Sequence, residues 1–395
     1  MQNRRFLSGN EAVAWGVKLS CPNVIAAYPI TPQTVVVERL AEMTSSGELQ
    51  AEYLHVESEH SALSAMMGAS AVGARTFTAT SSQGLLYMAE CLHYASGGRF
   101  PIVMMNANRS VALPWSIYGD QRDSLSMLDC GWIQVYAEDA QESLDLIIQA
   151  YKIAENLDVL TPVMVNLDGF VLTHTYEPVF IPEQQDVNAY LPKYNNPYCL
   201  DLDNPKNSGF STTPSENMEF KYQQHLAMQN AKKIIKEVDE SYGEHFGRKY
   251  GGLLSEYLTD DADCILFTLG SIAGTVRSVV DDLRKKGIKA GTARIRYLRP
   301  FPDTEIAFLA KEGRVFGVLE KDISFGFEGT VYTNVNSALV RSGQPAKTIN
   351  FIAGLGGRNI SREDIENMFN TLERVRNGEK IKNVNFVNLG VPDES

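Results

Sequence analysis

Three short groups in the first third of the chain have residue types and spacing suited to chemistry. Glu57-Ser58-Glu59-His60 opens a run of small residues reaching Ala74. Glu59 lies between apolar segments, and a carboxyl drawn out of water can share a proton with a ring nitrogen. The plainer reading is a helix-start carboxylate, because acids in a first turn suit the positive end of the helix dipole. Tyr28-Pro29-Ile30-Thr31-Pro32 is a turn stiffened by two prolines, with the Thr31 hydroxyl held between them and free to donate to an anion. Asn108-Arg109-Ser110 follows an apolar stretch and offers a guanidinium, the side chain that pairs best with a carboxylate. A surface ion pair is the alternative there. His60 and His93 read as structural hydrogen bonders.

The elements that must position these groups alternate strand and helix. Expected strands are Val24–Ala27, Tyr53–Val56, Thr76–Ala79, Ile102–Asn106, Trp132–Tyr136 and Pro162–Leu167. Expected helices run from a Ser8 or Asn10 cap to Ser20, then over Val35–Ser45, His60–Ala74 and Gln141–Glu155. The small residues of the third helix imply very close packing. Thr31, Ser81–Gln83 and Arg109 then all follow strand ends, and a parallel sheet gathers such loops along one edge. Arg109 is the only cation expected there. Asp120 to Asp129 reads as a polar, mobile loop. From Thr175 to Arg248 repeated prolines suggest an excursion that wraps the surface or a partner, with a helix over Glu219–Glu240.

A second alternation begins near Ala262: strands at Cys264–Leu269, Ala290–Arg294 and Val315–Leu319, helices at Thr275–Lys286, Asp303–Lys311 and Gly329–Arg341. The fold class is therefore α/β, with two doubly wound parallel-sheet domains at residues 1–248 and 262–395. The Gly270-Ser271-Ile272-Ala273-Gly274 turn reads as packing glycines or a phosphate cradle at a helix start. Arg294, Arg296 and Arg299 form a basic cluster, facing solvent or an acidic partner segment.

Composition narrows the function. The 395 residues suffice for two or three domains, with 44% hydrophobic and 21% charged residues as in ordinary globular proteins. A net charge of −12 without a basic run argues against nucleic acid. No apolar run is long enough for a membrane span, and Met1–Ser8 lacks a signal-peptide core. The five cysteines are far apart with no Cys-x-x-Cys pair, which suits a reducing cytoplasm and gives no iron–sulfur or zinc motif.

Taken together, Tyr28–Pro32, Val56–Ala62, Phe77–Leu85 and Asn108–Ser110 resemble the 2-oxoacid:ferredoxin oxidoreductase family, and within it the α subunits acting on pyruvate. The similarity extends to Tyr297–Pro302 and Gly354–Arg358. The resemblance implies a first domain that binds the aminopyrimidine of thiamine diphosphate and a second like the transketolase C-terminal domain. It implies that Glu59 contacts the pyrimidine ring nitrogen and Pro29 the same ring through its backbone, while Thr31 and Arg109 hold the substrate carboxylate. Glu59, Arg109 and Thr31 are thus the expected catalytic residues, and no metal ligand is expected on this chain. The Gly-Asp-Gly segment that holds diphosphate and magnesium in thiamine enzymes has only Gly119-Asp120-Gln121 as its nearest approach. A β subunit is therefore expected to carry the diphosphate, Mg2+ and a [4Fe-4S] cluster. Ferredoxin-like γ and δ subunits, ferredoxin, coenzyme A and a 2-oxoacid complete the expected partners. No second cation stands near Thr31, which favours a small monocarboxylic acid over 2-oxoglutarate or oxalate; a branched-chain oxoacid stays open, as does a non-catalytic scaffold.

Overall fold

The computed structural model describes residues 3–205, 207, 209–343 and 346–393. The domain spans expected above run to residues 1 and 395, and those termini lie outside the described residues. Ser8, not Asn10, caps the first helix: its hydroxyl accepts the Glu11 N–H at 3.3 Å while Glu11 Oε2 accepts the Ser8 N–H at 2.9 Å. That leaves Asn10 free for the site described below.

The chain first forms β1 (Asn3–Ser8), α1 (Gly9–Ser20), β2 (Val24–Ala26), α2 (Thr34–Ser45), β3 (Glu52–Leu54), α3 (Glu59–Ala71), β4 (Thr76–Thr80), α4 (Ser82–Tyr87), α5 (Ala89–Gly97) and β5 (Val103–Asn108). It continues through α6 (Arg122–Leu125), β6 (Ile133–Tyr136), α7 (Ala140–Ala154), β7 (Val163–Asp168), β8 (Tyr176–Ile181), α8 (Gln184–Tyr190) and α9 (Pro214–Phe246). Then come β9 (Leu254–Tyr257), β10 (Cys264–Leu269), α10 (Ile272–Lys285), β11 (Ala290–Ile295), β12 (Tyr297–Arg299), α11 (Asp303–Leu309), β13 (Val315–Glu320), α12 (Thr330–Arg341), β14 (Lys347–Ile352), α13 (Arg362–Arg376) and β15 (Val384–Phe386).

The first sheet has the order β12-β6-β7-β5-β4-β2-β3 and is parallel except at β12. Helices cover both faces, so β4 to β7 are buried along their whole length. The second sheet, β15-β14-β13-β10-β11-β9, is parallel except at β9. The chain crosses back between them: β12 leaves the second sheet's run and pairs with β6, Tyr297 opposite Val135.

Four expectations change. The stretch after Thr175 is in good part built into the body: β8 pairs with β1, and α9 starts at a Thr213 cap with Pro214 in its first turn. Ala227, Ala231, Ile235, Val238 and Tyr242 recur at three- and four-residue spacing and form one buried stripe of α9. The segment Asp120–Asp129 is not a mobile loop. Asp120, Gln121, Asp123 and Ser124 are buried, because their side chains close hydrogen bonds that a surface loop would leave to water. The small-residue helix α3 packs closely on one side only; Gly68 meets no atom where a Cβ would sit, and Val72 is exposed.

The fourth correction is the largest. Arg294 and Arg296 face neither solvent nor a partner but are buried against Glu142 at the first turn of α7. Arg294 Nη1 donates to Glu142 Oε2 at 2.7 Å, and Arg296 Nε donates to Oε1 at 2.9 Å. Glu138 and Asp239 add charge on the same cations at 3.1 and 3.6 Å. Burial alone would raise the Glu142 carboxyl, but the two guanidinia overcome it and hold it below the ordinary range. No helix among the described residues is long and apolar enough to cross a membrane.

Removing Glu142 takes from two buried cations the carboxylate they share and leaves each a single acid, so Glu142→Ala should destabilise the protein by about 3–5 kcal/mol in denaturant melts. A carboxyl with a depressed folded pKa stabilises fully above its unfolded value and loses that contribution as pH falls through the folded one. The gap between wild type and Glu142→Ala should therefore shrink in acid, below the ordinary carboxylate range. A gap under about 1 kcal/mol at neutral pH, or one that widens in acid, contradicts the assignment.

Candidate active site at the carboxyl edge of the first sheet

The parallel strands β2, β4, β5 and β7 end at one edge, and the loops leaving them are tied to one another. Gln33, fully buried, donates from Nε2 to Tyr28 O at 2.8 Å and to Ala79 O at 3.3 Å, which fastens the proline turn to the end of β4. Asn10 Nδ2 donates to Pro32 O at 2.8 Å from the start of α1. Ser81 Oγ donates to Ala107 O at 2.7 Å, and Ser82 Oγ to Ser110 O at 2.8 Å. The β2, β4 and β5 loops thus form one connected surface.

Glu59 begins α3, whose cap is Ser58: its hydroxyl accepts the Ser61 N–H at 3.1 Å. The Glu59 side chain is only 8% exposed and has no hydrogen-bond or ion-pair partner among the described residues. It rests over Gly84 in the β4 loop. A Cβ on Gly84 would lie 2.6 Å from Glu59 Oε1 and 2.6 Å from Thr80 Oγ1, so only glycine leaves room for the carboxylate.

Arg109 and Thr31 come together as expected, though the contact is to the backbone. Arg109 Nη1 donates to Thr31 O at 2.8 Å, and the guanidinium carbon lies 5.7 Å from the centre of the Trp115 ring. Arg109 is 6% exposed, its Nε is buried without a partner, and no carboxylate of the described residues pairs with it. Burial pulls its pKa down and the charge of nearby Asp123 opposes that pull. The Thr31 hydroxyl has no partner among the described residues, and Pro29 and Thr31 are both exposed at the turn. A planar cation with free donors beside a free hydroxyl can receive a carboxylate.

Arg109 is not the sole cation at this edge. Arg122 and Lys321 are also there, but each is already paired: Arg122 with Asp120 at 3.0 Å, Lys321 with Asp168 at 3.1 Å. The Gly270 turn does cradle an anion, and that anion is the protein's own Asp168. Ser271 donates to Asp168 Oδ2 from N–H at 2.8 Å and from Oγ at 2.5 Å, and a Cβ on Gly270 would lie 2.7 Å from the same oxygen. Burial pushes Asp168 up, yet Lys321 and Ser271 hold it below the ordinary range. Asp120 is likewise committed, accepting from Arg122 and from the Gly356 N–H at 3.0 Å. His60 lies 3.5 Å from Glu90 at the surface, and His93 is exposed.

Sequence reasoning missed Gln33, Asn10, Gly84 and Asp123. The last is fully buried beneath the Arg109 loop, where burial pushes its carboxyl up to about 6 against the pull of its N–H donors. A signal existed in Leu125 and Leu128, two apolar residues spaced after Asp123 in a way that argues against a fully exposed loop; both are buried.

The chain is similar to known proteins along most of its length. Residues 16–240 match the family described as pyruvate flavodoxin/ferredoxin oxidoreductase, thiamine diphosphate-binding, and residues 262–365 match pyruvate:ferredoxin oxidoreductase core domain II. The chain is 50% identical over 373 residues to pyruvate synthase subunit PorA of Methanocaldococcus jannaschii, covering 94% of this chain and 95% of that one. It is 47% identical over 391 residues to the subunit of the same name from Pyrococcus horikoshii, covering 98% and 99%. Ketoisovalerate oxidoreductase subunit VorA of Pyrococcus abyssi is 44% identical over 373 residues, covering 94% of each. Among solved structures, a 2-oxoglutarate:ferredoxin oxidoreductase from Magnetococcus marinus superposes with a TM-score of 0.71 at 19% identity, over 94% of this chain and 65% of that one. A split-gene transketolase superposes with a TM-score of 0.54 at 10% identity, over 94% and 99%. Both sheets thus have the fold of thiamine diphosphate enzymes, and the chain belongs to the pyruvate flavodoxin/ferredoxin oxidoreductase family.

Proposed function

We propose that this chain is the α subunit of a thiamine diphosphate-dependent pyruvate:ferredoxin oxidoreductase, interconverting pyruvate, coenzyme A and oxidised ferredoxin with acetyl-coenzyme A, carbon dioxide and reduced ferredoxin. The observation that carries this reading is Glu59: a nearly buried carboxylate with no partner, seated over Gly84 in the β4 loop, at the sheet edge that also carries an Arg109 without a carboxylate partner. The pyruvate synthase relatives supply the substrate class. The ketoisovalerate relatives, at nearly the same identity, support a branched-chain oxoacid as the second reading.

The residues present suit the cofactor. An orphaned carboxylate largely shielded from water fits a ring nitrogen that it can protonate or hold, and the exposed Pro29 lies on the neighbouring loop. When bound, thiamine diphosphate supplies the nucleophilic carbon and the electron sink for decarboxylation. Glu59 holds or moves the proton at the pyrimidine nitrogen. Arg109 and the Thr31 hydroxyl fix the substrate carboxylate, and fixing it supplies the orientation that the reaction needs.

Asp120 is bonded within the chain, so the diphosphate and Mg2+ are assigned to a partner. We assign that role to a β subunit that also carries a [4Fe-4S] cluster, with ferredoxin-like γ and δ subunits passing electrons to ferredoxin. The open face around Gly68, Val72, Tyr87 and Tyr94, beside the Glu59 helix, suits a covering chain. Five unpaired cysteines suit a cytoplasmic location.

In the assembled enzyme, Glu59→Gln should lower turnover about a hundredfold or more while leaving the fold intact. Gly84→Ala should approach the same loss, because its methyl displaces the Glu59 carboxylate. A full rate in either variant, measured with pyruvate and a viologen acceptor, contradicts the role of Glu59.

Arg109→Ala should reduce kcat/KM for the 2-oxoacid by about 2–5 kcal/mol, and Thr31→Val by about 1–3 kcal/mol. Arg109→Lys should recover only part, since a point charge cannot reproduce the planar fork. Loss of thiamine diphosphate affinity with an unchanged KM for pyruvate would instead assign Arg109 to the cofactor. Initial rates with pyruvate and 2-oxoisovalerate decide between the two substrates.

A further inference from the structure

Asp123 touches neither the Arg109 guanidinium nor the Glu59 carboxylate, yet both loops that carry or seat them end on it. Its carboxylate is completely buried and takes five N–H donors. Oδ2 accepts the backbone N–H groups of Ser82 and Arg109, each at 3.1 Å, and Asn106 Nδ2 at 3.3 Å. Oδ1 accepts Asn108 Nδ2 at 2.8 Å and the Ser124 N–H at 2.7 Å. The donors come from the β4 loop, from β5 and its loop, and from α6 itself.

Two consequences follow from elementary chemistry. Only a carboxylate offers acceptors on both oxygens; an amide would turn one end into a donor facing donors. The Ser82 backbone is also held at a φ of +50°, a left-handed conformation that a non-glycine residue adopts only where its surroundings require it. The Ser82 N–H, bonded to Asp123, fixes that conformation, and Ser82 begins the α4 turn that includes Gly84, the seat of Glu59.

The second consequence is electrostatic. Burying a guanidinium needs a nearby anion, but an anion bonded to the fork would occupy the donors that a substrate requires. Asp123 supplies the charge from behind, through the Arg109 backbone, and leaves the fork free. We propose that Asp123 is the positioning residue of the 2-oxoacid site: it clamps the β4 and β5 loops and aims an unpaired Arg109 at the substrate carboxylate. This rests on the assignment of Arg109 to substrate made above.

The test is a double-variant cycle in the assembled enzyme, with KM, kcat, thiamine diphosphate affinity and melting temperature measured for each form. Asp123→Asn should raise the KM for pyruvate about ten- to hundredfold, with a smaller change in kcat, the scale of a site displaced by about 1 Å. Any purely structural weakening shows in the melting temperature and does not select KM. In an Arg109→Ala background the same Asp123→Asn change should alter the KM for pyruvate less than about threefold, because the group it aims is gone, and only the smaller kcat change passed through the β4 loop should remain. Asp123→Glu keeps the charge but moves it by one methylene. It should show the same KM defect and the same silence without Arg109, and it stands in if the asparagine variant does not assemble. Independent, multiplying effects on KM in the double variant overturn the proposal, as does an unchanged KM in a folded Asp123 variant. An Arg109→Ala enzyme with unchanged KM is a different result: it overturns the substrate role of Arg109 itself, and this proposal with it.

Discussion

The working edge of this protein depends on a knot of buried charge that joins its two sheets. Glu142, at the start of α7 under the first sheet, takes Arg294 from β11 of the second sheet and Arg296 from the turn between β11 and β12. Buried ions are tolerable only with close partners, so this cluster admits few alternative arrangements of the two sheets. With that seam set, the loops of the second sheet arrive behind the first sheet's carboxyl edge. Lys321 and Ser271 reach Asp168, Lys321 O accepts the Gln121 N–H at 3.0 Å, and Gly356 meets Asp120. The second unit is thus the backing on which the Arg109 loop is laid.

That backing explains polar residues with no catalytic duty of their own. Asp168 fills the Gly270 turn, Asp120 binds the Gly356 N–H, and Asp123 gathers the β4 and β5 loops. Each satisfies backbone donors that would otherwise be buried unpaired, which is why carboxylates stand where a sheet protein would usually place neutral side chains. By contrast Glu59 and the Arg109 fork keep free valences in the same water-poor region. A carboxylate and a guanidinium left without a charged partner mark where a ligand belongs.

Much of this was legible from residue order. The period of the apolar segments located the central strands of both sheets and most of the longer helices, though β1, β8, β9, β14, β15 and α13 went unread, and the strand-end loops placed Thr31, Ser81–Gln83 and Arg109 at one edge, as parallel sheets favour. Glu59 was legible as a candidate through its neighbours. The long-range partners were not: the contact of Arg294 with Glu142 spans 152 residues, and that of Gly356 with Asp120 spans 236. Local pattern reads three arginines in six residues as a surface, since charge is normally exposed, and only the fold shows which acids await them. Asp120–Asp129 was misread for the same reason, as its polar side chains answer donors on other loops.

The central claim is that this chain holds half of a thiamine diphosphate site, with Glu59 on the pyrimidine side and the diphosphate ligands on another chain. Calorimetric titration of thiamine diphosphate and Mg2+ tests it most directly, on the purified chain and on the reconstituted complex. The account predicts no measurable binding to the isolated chain and saturable binding to the complex that Glu59→Gln weakens. Micromolar binding to the isolated chain would contradict it.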